Sequence, residues 1–194
     1  MHAATEFHAG GELVLRLVFQ HGLAGAHNGL PDRAEDVFVF VFHILLNMYT
    51  LWIFGQMLER LLGKARFLTL YLASGLAGSL GVMFWAPHDT FVVGASGAIF
   101  GLMGAFLVIQ RKLGGETTQL LVLVGINLVI GFLPGMSISW QAHLGGLLGG
   151  ALLGFVFVQT RKYTQKRLQL ALVSVTVLVF VALALSHAPM FVQG

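Results

Sequence analysis

The chain has 194 residues, 57% of them hydrophobic and 10% charged, and its mean hydropathy is +0.84. Soluble domains carry about 25% Asp, Glu, Lys and Arg, so this composition excludes a soluble enzyme, a nucleic-acid binder and a disordered chain. The absence of cysteine excludes disulfide frameworks, thiolate zinc sites and a cysteine nucleophile, and the pI of 9.6 rests on a net charge of only +3.

The length fits a single domain, and the charges divide it. Residues 1–36 hold seven: Glu6, Glu12, Arg16, Asp32, Arg33, Glu35 and Asp36. The remaining twelve fall into clusters at Glu59, Arg60, Lys64 and Arg66, at Arg111, Lys112 and Glu116, and at Arg161, Lys162, Lys166 and Arg167, with Asp89 alone. A membrane-spanning helix needs about 20 apolar residues. The uncharged stretches predict six spans, near 37–58, 67–87, 92–110, 118–134, 139–160 and 168–187. The break between the fourth and fifth falls at Pro134-Gly135. The fold class expected is therefore all-α, a polytopic transmembrane helix bundle.

Lys and Arg counts in successive loops alternate: three, none, two, none, four, none. The positive-inside rule then places the loops near 59–66, 111–117 and 161–167 in the cytoplasm. Residues 1–36 fall outside, as do the loops near 88–91 and 134–138. A charged, leaderless segment of that kind has no span to carry it across, so a preceding helix is expected beyond the chain as given.

No span contains Asp, Glu, Lys or Arg, which removes the usual parts of proton relays, ion-coupled transport and an intramembrane aspartyl protease. The metalloprotease pattern H-E-x-x-H is also missing. Four polar residues remain as a group: His43 and Asn47 on the first span, Ser96 on the third and His143 on the fifth. Under this topology those three spans run in the same direction. Ser96 and His143 then lie a few residues past the outer ends of their helices, and His43 and Asn47, spaced i, i+4, share a face.

A serine becomes a nucleophile when a neutral histidine accepts its proton. A tetrahedral intermediate needs donors for its oxyanion, which an amide, an imidazole and the serine's backbone N–H can supply. With no acid to orient the base, the arrangement is a Ser–His dyad rather than a triad. Small residues at four-residue spacing, Gly97 with Gly101 and Gly146 with Gly150 and Gly154, let helix backbones approach closely in lipid. Singly, each feature has a plainer reading: a membrane serine back-bonds its own helix, and a membrane histidine or asparagine bridges helices. Depth, side and spacing together favour chemistry.

His43-x-x-x-Asn47, Gly94-Ala95-Ser96-Gly97-Ala98-Ile99-Phe100-Gly101 and Ala142-His143-Leu144-Gly145-Gly146 resemble the three signature motifs of rhomboid intramembrane serine proteases. A weaker likeness covers Leu51 through Arg60, and the similarity runs in order over about residues 37–160. The resemblance implies Ser96 as nucleophile, His143 as general base, and His43 and Asn47 as oxyanion donors. Phe100 occupies the aromatic position that packs against the base. The implied reaction is hydrolysis of peptide bonds in or beside transmembrane segments of protein substrates, with neither cofactor nor metal, in the plasma membrane. Residues 1–36 would be an extracytoplasmic interfacial segment, 37–160 the protease core, and 161–194 a basic loop with an additional helix and tail.

Two positions depart from the pattern. The core helix that usually precedes the His-x-x-x-Asn span has no counterpart, since residues 13–19 are too short and contain Arg16; they resemble the family's interfacial loop. The further histidine usually found some five residues before His43 is replaced by Phe38. Two other readings compete. A rhomboid-like pseudoprotease would bind transmembrane segments without cutting them, but typically lacks the Ser or the His. A small transporter would need a polar path across the whole bilayer.

Overall fold

A computed structural model describes residues 34–87, 95–130 and 139–192, with side chains over 41–87, 95–129 and 139–187. The described residues form six α-helices and no strand: α1 (Ala34–Leu62), α2 (Lys64–Trp85), α3 (Ser96–Lys112), α4 (Thr118–Ile130), α5 (Trp140–Gln159) and α6 (Lys166–Val192). A single 3-10 turn, Tyr163–Gln165, joins α5 to α6. The all-α expectation holds. The proposed interfacial stretch 13–19, and the loops 88–91 and 134–138, lie outside the described residues.

Helix boundaries follow the charges and glycines. Between α1 and α2 the chain turns at Gly63, whose φ of 81° lies in the left-handed region open to glycine. Gly114, with φ 76°, turns the chain after α3. Glu116 then starts α4 by accepting from the Thr117 and Thr118 backbone N–H groups at 3.0 and 2.8 Å. Of the third span, expected from residue 92, the described helix is Ser96–Lys112. Its seventeen residues rise about 26 Å, and its last turn carries Arg111 and Lys112. Segments of α1, α2 and α5, and the α6 segment with its leading turn, are long and apolar enough to cross a membrane; α4 is shorter.

The chain divides into two compact units, Met1–Leu46 with Phe91–Val93, and Asn47–Thr90 with Gly94–Gly194. Of the first unit, the described part is the beginning of α1.

The second unit is organised around α2, α3 and α5. Pairs of close approach rise together along α3 and α5: Gly97 meets Gly146, Gly101 meets Gly150, and Ala105 meets Gly154. The two helices are therefore parallel. Along α2 the order reverses, with Gly81 against Gln141, Ala77 against Gly149, and Ser74 against Gly101. Helix α2 is antiparallel to both. Such contact is open only to small residues; in hydrocarbon, where no hydrophobic force separates protein from solvent, it is what holds helices together. Around this seam Phe54 packs edge-on to Phe106 at 5.7 Å, and Leu58, Leu70, Leu102 and Leu153 are wholly buried.

Between the charged loops, many exposed side chains outside the seam are apolar. Leu121, Val122, Leu152, Phe155, Leu170 and Leu178 are all exposed; an apolar exterior of this kind fits lipid rather than water.

Candidate active site

Ser96 is the first residue of α3 and is half-buried. The residue before it, Ala95, has no side chain able to cap the helix, so the first backbone N–H groups of α3 are open to another acceptor. Among the described residues no hydrogen bond from the Ser96 hydroxyl to its own helix is seen. The contrast is with Thr69, Ser79, Thr160 and Thr176, each of which donates to the carbonyl four residues back.

His143 lies in the first turns of α5 and is buried. Ser139 holds that turn: its Oγ accepts from the Ala142 N–H at 3.2 Å and donates to Gln141 Oε1 at 3.1 Å. The Ser139 carbonyl accepts from the His143 N–H at 3.2 Å. This is an N-cap in the usual sense, a serine just ahead of an apolar helical run.

Two contacts bring serine and histidine to one place. The Phe100 ring stacks on the His143 imidazole with centroids 3.9 Å apart and planes 11° from parallel; Phe100 lies four residues after Ser96, on the same face of α3. In addition, a Cβ built on Gly97 would stand 3.2 Å from the Ala142 carbonyl oxygen. The residue after the serine thus abuts the residue before the histidine. On α2, a Cβ on Gly78 would stand 3.0 Å from that same oxygen and 3.3 Å from Gly97 Cα, so three backbones converge there.

Glycine at 97, 101, 146 and 150 is what permits the convergence. A Cβ on Gly146 would overlap the Gly97 carbonyl, one on Gly150 the Gly101 carbonyl, and one on Gly101 the Ser74 side chain. The electrostatics follow from direction. Helix α3 begins level with Gly146, about a turn and a half into α5, so the positive end of its macrodipole favours negative charge beside Ser96.

Asn47 belongs to the same unit and lies on α1. His43, one helical turn earlier, belongs to the first unit. Among the described residues no group of His, Cys, Asp and Glu is arranged to hold a metal.

Three contributors escaped the reading of the sequence: the Ser139 cap, and Gly78 and Ser74 on α2. The signal for the last two was present in Ser74-x-x-x-Gly78, the same four-residue spacing seen on α3 and α5. Ser74 is wholly buried, and its Oγ has no hydrogen-bond partner among the described residues.

Comparison with known proteins agrees with this geometry. The rhomboid domain family model matches residues 37–160. The chain is 42% identical over 125 residues to the putative rhomboid protease YdcA of Bacillus subtilis, covering 62% of each chain. It is 41% identical over 113 residues to the rhomboid protease GluP of the same organism, covering 56% of this chain and 22% of GluP. Against RHOMBOID-like protein 7 of Arabidopsis thaliana it is 38% identical over 145 residues, 71% of this chain and 45% of that one. The chain thus spans less than two thirds of the length of each of these relatives. No solved structure matches it. With its motifs, its parallel α3–α5 seam and a family match over most of its length, the chain belongs to the rhomboid family and is an integral, multi-pass membrane protein.

Proposed function

We propose that the protein is an intramembrane serine endopeptidase that cleaves peptide bonds in or next to transmembrane segments of membrane proteins. The observation that carries this reading is the Phe100–His143 stack at 3.9 Å, one helical turn from Ser96 and beside the Gly97–Ala142 contact. A pseudoprotease has no need of an imidazole held by an aromatic ring one turn from a serine at a helix start.

In this mechanism His143 accepts the Ser96 hydroxyl proton as Oγ attacks the scissile carbonyl carbon. Negative charge develops on the carbonyl oxygen at the start of α3, where the Ser96 backbone N–H and the helix dipole favour it. Asn47 and His43 serve as further oxyanion donors, a role that rests on their match to the family motif. Collapse of the intermediate passes the proton from His143 to the leaving amine and leaves an acyl ester on Ser96. Water, deprotonated by His143, then hydrolyses the ester and restores the hydroxyl. None of these steps calls for a cofactor or metal.

The substrates are membrane proteins with a transmembrane segment that can unwind to present its backbone. The protein resides in the plasma membrane with its basic end in the cytoplasm, a placement supported by the Lys and Arg bias of the loops. The domain reading keeps 37–160 as the protease core, with 161–194 as an appended basic loop and helix.

The test is labelling of the full chain by a fluorophosphonate probe, together with cleavage of a reporter whose transmembrane segment contains a helix breaker. Both activities are expected and both should vanish in Ser96→Ala. Labelling and cleavage unchanged in that variant would overturn the assignment. So would a chain that holds the reporter without ever cutting it.

A further inference from the structure

From residue 41 onward, every charged side chain of the described residues lies at one end of the second unit. The antiparallel course of α2 and the parallel course of α3 and α5 bring together the start of α2 (Lys64, Arg66), the end of α3 (Arg111, Lys112) and the end of α5 (Arg161, Lys162). Arg60 joins them at the end of α1, and Lys166 and Arg167 at the start of α6. Two carboxylates, Glu59 and Glu116, share that end, and Glu116 is engaged with the first N–H groups of α4.

Within this end, the connection from α5 to α6 differs from the rest. Four cations, Arg161, Lys162, Lys166 and Arg167, stand within seven residues, all exposed. Among the described residues no carboxylate pairs with them. Their backbone is fixed. Gln169, buried, donates from Nε2 to Thr160 Oγ1 at 2.8 Å and to the Thr160 carbonyl at 3.2 Å. The Gln165 N–H donates to the Lys162 carbonyl at 2.9 Å. Tyr163 projects from the turn with 80% of its surface exposed, and the Lys166 ammonium rests 4.0 Å from its ring centroid. A tyrosine at the ends of membrane-spanning helices sits at headgroup level, with the apolar ring in the interface and the hydroxyl in water.

The geometry points to a binding site for the phosphodiester headgroup of anionic glycerophospholipids at the α5–α6 elbow, formed by Arg161, Lys162, Lys166 and Arg167 beside Tyr163. A preordered turn presenting four cations loses little freedom when it meets an anion. Its place at the membrane surface commits it to lipid rather than to free phosphate. The site lies at the end of the unit remote from Ser96 and stands independently of the protease reading.

The experiment titrates fluorescent phosphatidylglycerol or phosphatidylcholine onto the full chain in neutral detergent micelles. Phosphatidylglycerol is expected to bind at least about tenfold more tightly, since each cation near an anionic surface contributes roughly fivefold, and the preference should fade as salt is raised. Replacing Arg161, Lys162, Lys166 and Arg167 together by Gln should abolish the preference while circular dichroism and the melting temperature stay close to the parent's. A matched set of four, Arg60→Gln, Lys64→Gln, Arg111→Gln and Lys112→Gln, should keep most of it. Three results would overturn the site: undiminished binding by the elbow variant, an equal loss in the matched set, or displacement of the lipid by millimolar inorganic phosphate.

Discussion

Within the second unit, α5 and α6 are neighbours that solve different problems, and the α6 segment is the more apolar, with mean hydropathy 2.6 against 1.5. Half of the apolar window of α5 is buried in the protein, against 11% for the window that contains α6. Helix α5 spends glycines at 145, 146, 149, 150 and 154 on backbone contact with α2 and α3. Helix α6 instead presents Leu170, Val175, Leu178 and Leu185 outward and is held at its start by one amide, Gln169, and farther along by Phe180 against Gly149. The lesson is that in lipid, apolar content does not mark the core. Small residues mark it, because close backbone approach is the interaction that lipid tails cannot supply.

The largest test of that contrast is to fill the seam. Gly146→Leu pushes a side chain into the Gly97 backbone carbonyl, which cannot rotate away. Ordinary overpacking costs about 1–3 kcal/mol; here the cost is expected at or above the top of that range, with loss of fluorophosphonate labelling. Gly125→Leu on α4 is the control, since a Cβ there meets nothing within 4 Å. Denaturant unfolding in micelles should show a large loss for the first and almost none for the second. Equal losses would mean that the seam is not what holds the unit together.

Next in size is the attachment of α6. Gln169→Leu keeps the volume and removes the two hydrogen bonds to Thr160, at an expected cost of about 1–3 kcal/mol. The loss should appear as faster amide exchange at the start of α6, with Ser96 labelling retained. If labelling fell in step with exchange, α6 would belong to the same cooperative unit as the seam.

A smaller change reaches the site itself. Ser139→Ala removes the cap on the turn that carries His143, worth about 1 kcal/mol. Peptidase activity should drop severalfold, and Ser139→Asp, which also caps, should restore it. Equal activity in all three forms would show that the position of His143 does not depend on the cap.

These contrasts explain what the sequence disclosed and what it hid. The charge clusters and the four-residue glycine spacing were enough to draw six helices and to single out Ser96 and His143 as candidates, because burying charge in hydrocarbon is costly and both signals are one-dimensional. The span expected from residue 92 contains the described helix Ser96–Lys112, and residues 92–94 lie outside the described residues. The part of α2 in the seam was missed. Ser74, Gly78 and Gly81 gain meaning only once α2 is known to run against α3 and α5, which no local pattern states. Ser139 was overlooked beside Trp140 and Gln141 because a cap is visible only when the helix boundary is known.

The smallest expected effect lies at the basic end. Hydrogen bonds from Thr118, first from its side chain and then from its backbone N–H, and from the Thr117 N–H hold the fully exposed Glu116 carboxyl below its ordinary value of 4.5. A carboxyl lowered on folding stabilises the folded form above its unfolded pKa, and that contribution disappears as pH falls through the folded value. The start of α4 should therefore be unchanged from neutral pH down to about pH 5 and loosen only below the ordinary carboxylate range. Thr118→Val, which keeps the backbone donor and removes the hydroxyl, should move the Glu116 midpoint part of the way back. A carbon-detected NMR titration of Glu116 reads this directly. A midpoint at the ordinary value in the parent chain would show that the carboxylate does not cap α4, leaving the two glycines before it as the whole of the turn.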